Sequence, residues 1–252
     1  MIEFFQSFHL STTDWFWVLL CALCVGLGKT GLSGIGMFIV PVLASVFGAK
    51  PSTGILLPML IMGDIMGVMY YHRHADLKLL LKLIPATVIG IIIAVFVGDM
   101  INDQQFKNLM AFIILAGVAI MIWNERRKSN ESIPHNWFFA SFAGLLGGFT
   151  TMIGNAAGPV MTIYFLSMNL KKNNYIGTSA WFFLLVNVFK VPFHVFNWGT
   201  ITTRTFLFDL GMLPIILIGA VSGIFIVKLI PEKPYRIFIM FSTILAAVKL
   251  FF

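Results

Sequence analysis

Charge is what this chain has least of. Asp, Glu, Lys and Arg make up 11% of its 252 residues, where a water-soluble domain carries about a quarter. Residues 137–170 contain none of the four, and residues 15–48 contain one, Lys29. A soluble surface cannot be built from such stretches, and several of them exclude a single cleaved leader as their explanation. Cysteine is nearly absent too. Cys21 and Cys24 have the C-x-x-C spacing, but within an apolar helix they are expected to be small buried side chains rather than a redox pair. There is no H-E-x-x-H, no Cys/His cluster and no nucleophile–base arrangement, so neither a metal, a cofactor nor an enzyme activity is expected. Gly28-Lys29-Thr30 ends like a phosphate-binding loop, but the first glycine that loop requires falls on Leu23. Acidic residues are so few that the net charge is +7. The basic residues nevertheless sit in short clusters between apolar segments, which fits anchorage at a lipid bilayer and not nucleic-acid binding.

Hydrophobic residues make up 59% of the chain. They form eight long apolar segments at about 15–48, 55–71, 79–97, 108–123, 137–168, 176–196, 205–227 and 236–252. The polar run 125–136 divides them four and four. This predicts a first membrane repeat over 1–124, a linker over 125–136 and a second membrane repeat over 137–252. The halves resemble each other. Gly26, Gly36 and Pro41 align with Gly144, Gly154 and Pro159. Gly54, Asp64 and Tyr71 align with Gly177, Asn187 and His194. Pro85 and Gly90 align with Pro214 and Gly219.

The first segment of each half is too long. About 34 residues of straight helix span roughly 50 Å, against a hydrocarbon core of about 30 Å. Each is interrupted by glycines, Gly26 to Gly36 in one and Gly144 to Gly154 in the other. Each is therefore expected to be a pair of helices joined at a break, with Gly31, Pro41, Gly158 and Pro159 shaping the interruption. Charge supports the hairpin. Arg126, Arg127 and Lys128 place the linker in the cytoplasm, and the stretch from His72-Arg73-His74 to Lys82 falls on that same side. A hairpin over 137–168 then also puts Lys171, Lys172, Lys228, Lys233 and Arg236 inside and, of these second-half loop charges, Arg204 alone outside; a single crossing would put those five outside. The fold expected is all-α: a polytopic membrane bundle of about ten helical pieces in two inverted repeats, in the plasma or inner membrane, with its N-terminus outside.

Broken helices at matching positions of inverted halves point to a transporter's binding site, because a half-helix starting inside the membrane presents free N–H groups and a positive dipole end. Ser33, Gly34 and Gly36 at the first break and Thr151, Gly154 and Asn155 at the second are the candidate ligands for a small anion. Asn187, Lys190 and His194 lie on one helix face that could complete the site. Asp64, deep in an apolar segment, is read as a coupling-proton carrier or as the partner of Lys29 or Lys190 in an ion pair. Lys82, Lys107 and Asp209 lie near segment ends and are expected to snorkel. Close helix packing at small-xxx-small motifs is the competing explanation for the glycines.

With the doubled glycine-rich break (Gly26 through Pro41, and Gly144 through Pro159) and Gly177-Thr178-Ser179, the chain resembles the TauE/SafE sulfite-exporter family, also called the 4-toluene-sulfonate uptake permease family, over nearly its whole length. The resemblance implies a multi-pass membrane protein that moves sulfite, sulfonates or similar sulfur-containing anions. The residues themselves indicate only an anion, carried by alternating access with a proton or the membrane potential as drive. A carboxylate transporter, an anion channel and a membrane-embedded enzyme are the alternatives.

Overall fold

The computed structural model describes residues 2–30, 34–71, 73, 75–126, 137–168, 170, 172–226 and 232–251. Gly31, Ser33, His72, His74, linker residues 127–136, Lys171 and Lys228 lie outside the described residues. The described chain is helical throughout, without a strand. It runs α1 (Ile2–Gln6), α2 (Thr12–Thr30), α3 (Ile35–Phe47), α4 (Ala49–Tyr71), α5 (Leu77–Met100), α6 (Asp103–Arg126), α7 (Trp137–Gly154), α8 (Gly158–Ser167), α9 (Lys172–Pro192), α10 (Thr203–Ile226) and α11 (Glu232–Lys249). Helix is what an apolar environment leaves to a chain whose backbone must satisfy itself. Seven of these helices are long and apolar enough to cross a membrane, and outward faces among them carry Met69, Leu81, Phe96, Phe112, Phe142 and Ile218. The chain is a polytopic membrane protein. Its ten main helices match the ten pieces expected; α1 is an addition that the sequence reading did not foresee. Both cysteines are buried and free.

Packing reveals the inversion. Helices α4 and α9, the second pieces after each break, touch at Asp64 with Asn187 and Gly67 with Ala180, and their contact is extended by Gly54 of α4 against Thr200 beyond α9 and by Asp76 beyond α4 against Thr178 of α9. Rising numbers on α4 meet falling numbers on α9, so the two equivalent helices run antiparallel. By the same reasoning α5 and α7 run parallel, because Gly144 lies against Leu83 and Gly148 against Thr87. The pairs α5–α7 and α2–α10 make the most extensive helix contacts, and each joins a broken helix of one half to a long helix of the other.

Both breaks are hairpins. Phe208 near the start of α10 packs against Trp15 at the start of α2 and Phe47 at the end of α3, so the first hairpin begins and ends at one face of the bundle. The second begins and ends at the opposite face, where Asp76 and Thr178 meet.

One alignment needs correction. A Cβ on Gly26 would strike the carbonyl oxygen of Ile216, and a Cβ on Gly148 would strike that of Thr87; likewise Gly219 faces the carbonyl of Leu23 and Gly90 that of Leu145. Since Pro85 and Gly90 correspond to Pro214 and Gly219, the structural partner of Gly26 is Gly148, one helical turn beyond Gly144. Gly36 therefore matches Gly158, not Gly154. The regular glycine spacing of these helices admits both registers by eye, and only the backbone-to-backbone contact separates them.

Candidate functional site

Four helices that start at the faces of the bundle, α2, α5, α6 and α10, are capped by side chains. Asp14 N–H donates to Ser11 Oγ (3.1 Å) before α2, and Lys78 and Leu79 N–H donate to Asp76 Oδ1 (3.0 and 3.2 Å) at α5. Gln105 N–H donates to Asn102 Oδ1 (2.9 Å) at α6, and Thr205 N–H to Thr202 Oγ1 (3.2 Å) at α10. The two half-helices that start inside the bundle differ. The residues before α3 and α8 are Gly34 and Ala157, and neither start has a side-chain cap. Each break also contains a residue in the left-handed region, Gly34 with φ of 92° and Asn155 with φ of 50°. Uncapped first turns keep their N–H groups and dipole available to a negative group.

The two starts converge. A Cβ added to Gly117 of α6 would fall 2.5 Å from Met37 Cε and 3.3 Å from Pro159 Cγ, the residues that follow Gly36 and Gly158. Beside the starts there is room: a side chain at Gly36 or at Gly158 would meet no atom within 4 Å. Pro159 occupies the first turn of α8, where its missing N–H removes no helical bond. Pro41 lies inside α3, past the break.

Three charged groups surround the breaks, and all come from short-range geometry within the bundle. Lys29, at the end of α2, pairs with Asp64 Oδ1 of α4 (2.5 Å). Asp64 Oδ2 accepts from Asn187 Nδ2 (2.7 Å). Because Asp64 and Asn187 are repeat mates, this bond lies on the pseudo-two-fold axis. Lys190 of α9 is fully buried, and its Nζ donates to Thr151 O (3.0 Å), Thr151 Oγ1 (3.0 Å) and Asn155 Oδ1 (2.6 Å). All three acceptors are neutral and all belong to the second break. Asn155 Nδ2 in turn donates to Thr53 O of α4 (3.3 Å). Lys190 lies within electrostatic reach of both Asp64 and Lys29. Two ammonium groups against one carboxylate leave one positive charge over.

His194 follows on the same helix, in a π turn over Phe193–Asn197 after Pro192. It is buried, with Nδ1 2.8 Å from Thr200 Oγ1 and its ring edge-on to Trp198 at 5.1 Å. His194 Nε2 and Trp198 Nε1 have no hydrogen-bond partner within the described structure. Trp198 closes over Gly98 and lies under the Lys50 ammonium at 4.9 Å.

The structure thus brings Thr151, Gly154, Asn155, Asn187, Lys190, Asp64 and Lys29 together and places Gly34 and Gly36 at the facing break. Trp198, Thr200 and Thr53 were missed, because nothing in their sequence surroundings marks them. Asp209 departs from expectation. It does not snorkel but is fully buried on the inward face of α10.

A polytopic bundle with inverted halves, crossed by two uncapped half-helices beside an unbalanced buried lysine, belongs to the class of membrane transport proteins. The family comparison agrees: the model for "Sulfite exporter TauE/SafE" matches residues 18–250, and the chain belongs to that family. No curated protein and no solved structure matches it.

Proposed function

We propose that the protein is a secondary transporter of a small sulfur-containing oxyanion, of sulfite or organosulfonate type, working by alternating access. Lys190 carries this reading: a fully buried ammonium held only by neutral acceptors. A lone buried charge is strongly disfavoured unless something of opposite sign can reach it. An anion seated beside the second break would accept a charge-assisted bond from Lys190 Nζ and further bonds from the free N–H groups of α8. Lys29 is already neutralised by Asp64, so the two lysines have different tasks. The Lys29–Asp64–Asn187 chain ties the two repeats at the axis, while Lys190 serves the substrate. Gly36 and Gly158 leave the space that the anion would fill. Substrate class rests on family membership, since the site chemistry specifies an oxyanion without naming its central atom.

Alternating access fits the helix pairing. Backbone-to-backbone packing at glycines joins α5 to α7 and α2 to α10, so each pair can rock as a unit about the α4–α9 axis. In this reading residues 1–124 and 137–252 are the two repeats, the linker is cytoplasmic, and the face bearing Lys50, Asp99 and Arg204 is the outer one.

Reconstitution into proteoliposomes tests the proposal. Saturable uptake of sulfite, thiosulfate or sulfoacetate is expected, with a carboxylate of similar size competing weakly. Equal competition by the carboxylate would reject the sulfur-anion reading, and unsaturable flux at channel rates would reject a carrier. Lys190→Ala should weaken anion binding far more than it lowers protein level.

A further inference from the structure

The anion reading leaves the buried carboxyl of Asp209 unused. Asp209 sits six residues into α10, about 9 Å along the helix from Thr203. Its side chain shares the inward face with Met212, Ile216 and Ala220, all of them buried. Neither carboxyl oxygen has a hydrogen-bond partner within the described structure, and both are shielded from solvent.

Among the described side chains its neighbours offer no counter-charge. Helix α10 packs on α2 and α4, and α1 and α3 reach it through Phe5 and Phe47. Glu3, Tyr70 and Tyr71 lie on these elements with side chains outside those described; the titratable and charged side chains described on them, on their connections and on α10 itself are His9, Asp14, Cys21, Cys24, Lys29, Lys50, Asp64 and Arg204. Asp14 is bound to Ser11, Lys29 to Asp64, Lys50 to Asp99 and the Gly98 carbonyl, and Arg204 to the Ser7 carbonyl. The two thiols are free, and no contact joins any of the eight to the Asp209 carboxyl.

The repeat supplies an internal control. With Pro85 and Gly90 matching Pro214 and Gly219, the twin of Asp209 is Leu80, and Leu80, Leu83, Thr87 and Ile91 form the equivalent buried face on α5. The fold is therefore satisfied by an apolar side chain at this position. An acid there is not a packing requirement, and an unpaired carboxylate would be unstable in such surroundings.

Above Asp209 the bundle is closed by aromatics. Phe208 is fully buried among Phe5, Phe8, Trp15 and Phe47, with ring centroids 4.7 to 6.0 Å away. Phe5 also covers Gly211, where any side chain would collide with its ring.

We propose that Asp209 is a proton-binding site, separate from the anion site, that holds its proton while this aromatic cluster is closed and releases it when the cluster parts. One proton added to the carboxylate makes the neutral acid that this proposal assigns to the closed state; its loss restores the carboxylate and requires water to reach it. Coupling of that cycle to anion movement rests on the transport reading above.

Two measurements test it separately. Infrared spectra of the purified protein in lipid, without anion, should contain a protonated-carboxylic-acid band that Asp209→Asn lacks and that fades as pH is raised. An identical spectrum in the variant would overturn the site. In proteoliposomes with the membrane potential clamped, sulfite accumulation driven by a pH gradient should fall at least tenfold in Asp209→Asn, while sulfite exchange without a gradient persists. Full gradient-driven accumulation in the variant would overturn the coupling. If Asp209→Asn fails to fold, Asp209→Glu must shift the pH dependence of accumulation, and an unshifted profile would count against the proposal. Should the wild-type protein move no anion, the transport reading and the coupling both fail, and the infrared band alone decides whether Asp209 binds a proton.

Discussion

The two breaks occupy equivalent places in the fold, yet they are finished differently. At the first, Lys29 finds a carboxylate 2.5 Å away. At the second, Lys190 finds only a carbonyl, a hydroxyl and an amide oxygen. Under the pseudo-two-fold, Lys29 corresponds to Thr151 and Lys190 to Gly67, so the lysines are not repeat mates. Each has been placed once, on a different helix, against the opposite half. An inverted repeat supplies a symmetric frame, but a substrate site needs one net charge on one side. The pairing of Lys29 neutralises half of the frame and leaves the other half able to take an anion.

The largest effect should come from breaking the neutralised side. Asp64→Asn leaves the partly buried Lys29 without its counter-ion and should destabilise the protein by about 3 kcal/mol, the low end for a broken buried pair. The double substitution Lys29→Met with Asp64→Leu removes both charges and should recover most of that loss. Thermal unfolding in detergent reads both, and a double variant no better than Asp64→Asn would show that the pair is not the source. Breaking the other side should separate binding from stability. Lys190→Met is expected to weaken anion affinity roughly a hundredfold, about 2.7 kcal/mol, because a buried charge-assisted contact is lost. Its unfolding temperature should stay close to wild type, since no opposite charge is stranded. A parallel loss of both would make Lys190 a structural residue like Lys29.

Much of this contrast was legible in the sequence. Charge-free stretches identified the membrane helices, excess length identified the hairpins, and the distribution of Lys and Arg favoured a second hairpin that returns to the face it left. Asp64 and Lys190 stood out because ionisable residues are rare inside apolar segments. Which partner each would take did not, with Lys29 and Lys190 both open as partners of Asp64. The pairing of Asp64 with Lys29, and of Lys190 with Thr151 and Asn155, depends on how α2, α7 and α9 pack, and sequence spacing cannot rank those options. The repeat register failed by one turn for a related reason. Glycines spaced near a helical period match at more than one offset, and only the carbonyl contacts of Gly26 and Gly148 distinguish them. Asp209 was misread because distance from a segment end says nothing about the direction a side chain faces.

Glycine substitutions sharpen the comparison further, by separating packing glycines from those that border open space. Gly26→Ala would drive a methyl group into the backbone of α10 at Ile216, and Gly148→Ala into that of α5 at Thr87. Both should destabilise by about 1–3 kcal/mol through overpacking. Gly36→Ala and Gly158→Ala meet nothing within 4 Å, so they should fold normally and act only on anion affinity. Unfolding curves set beside binding isotherms for the four variants test the division. Normal folding of Gly148→Ala would undo the register assigned to the two halves.

The smallest expected effect isolates a single acceptor. Thr151 holds Lys190 through both its carbonyl and its hydroxyl, each at 3.0 Å. Thr151→Val keeps the shape and the carbonyl but removes the hydroxyl, about 1 kcal/mol of hydrogen bonding. If that hydroxyl only parks the ammonium when no substrate is bound, its loss frees Lys190 and anion affinity rises severalfold. If the hydroxyl stays bonded while the anion is present, affinity falls by a similar factor. The alternating-access reading expects the rise, because Lys190 must exchange a neutral protein acceptor for the substrate and back again in every cycle. A fall would instead mean that Thr151 and Lys190 form one fixed cradle, and that the anion is recognised chiefly by the start of α8.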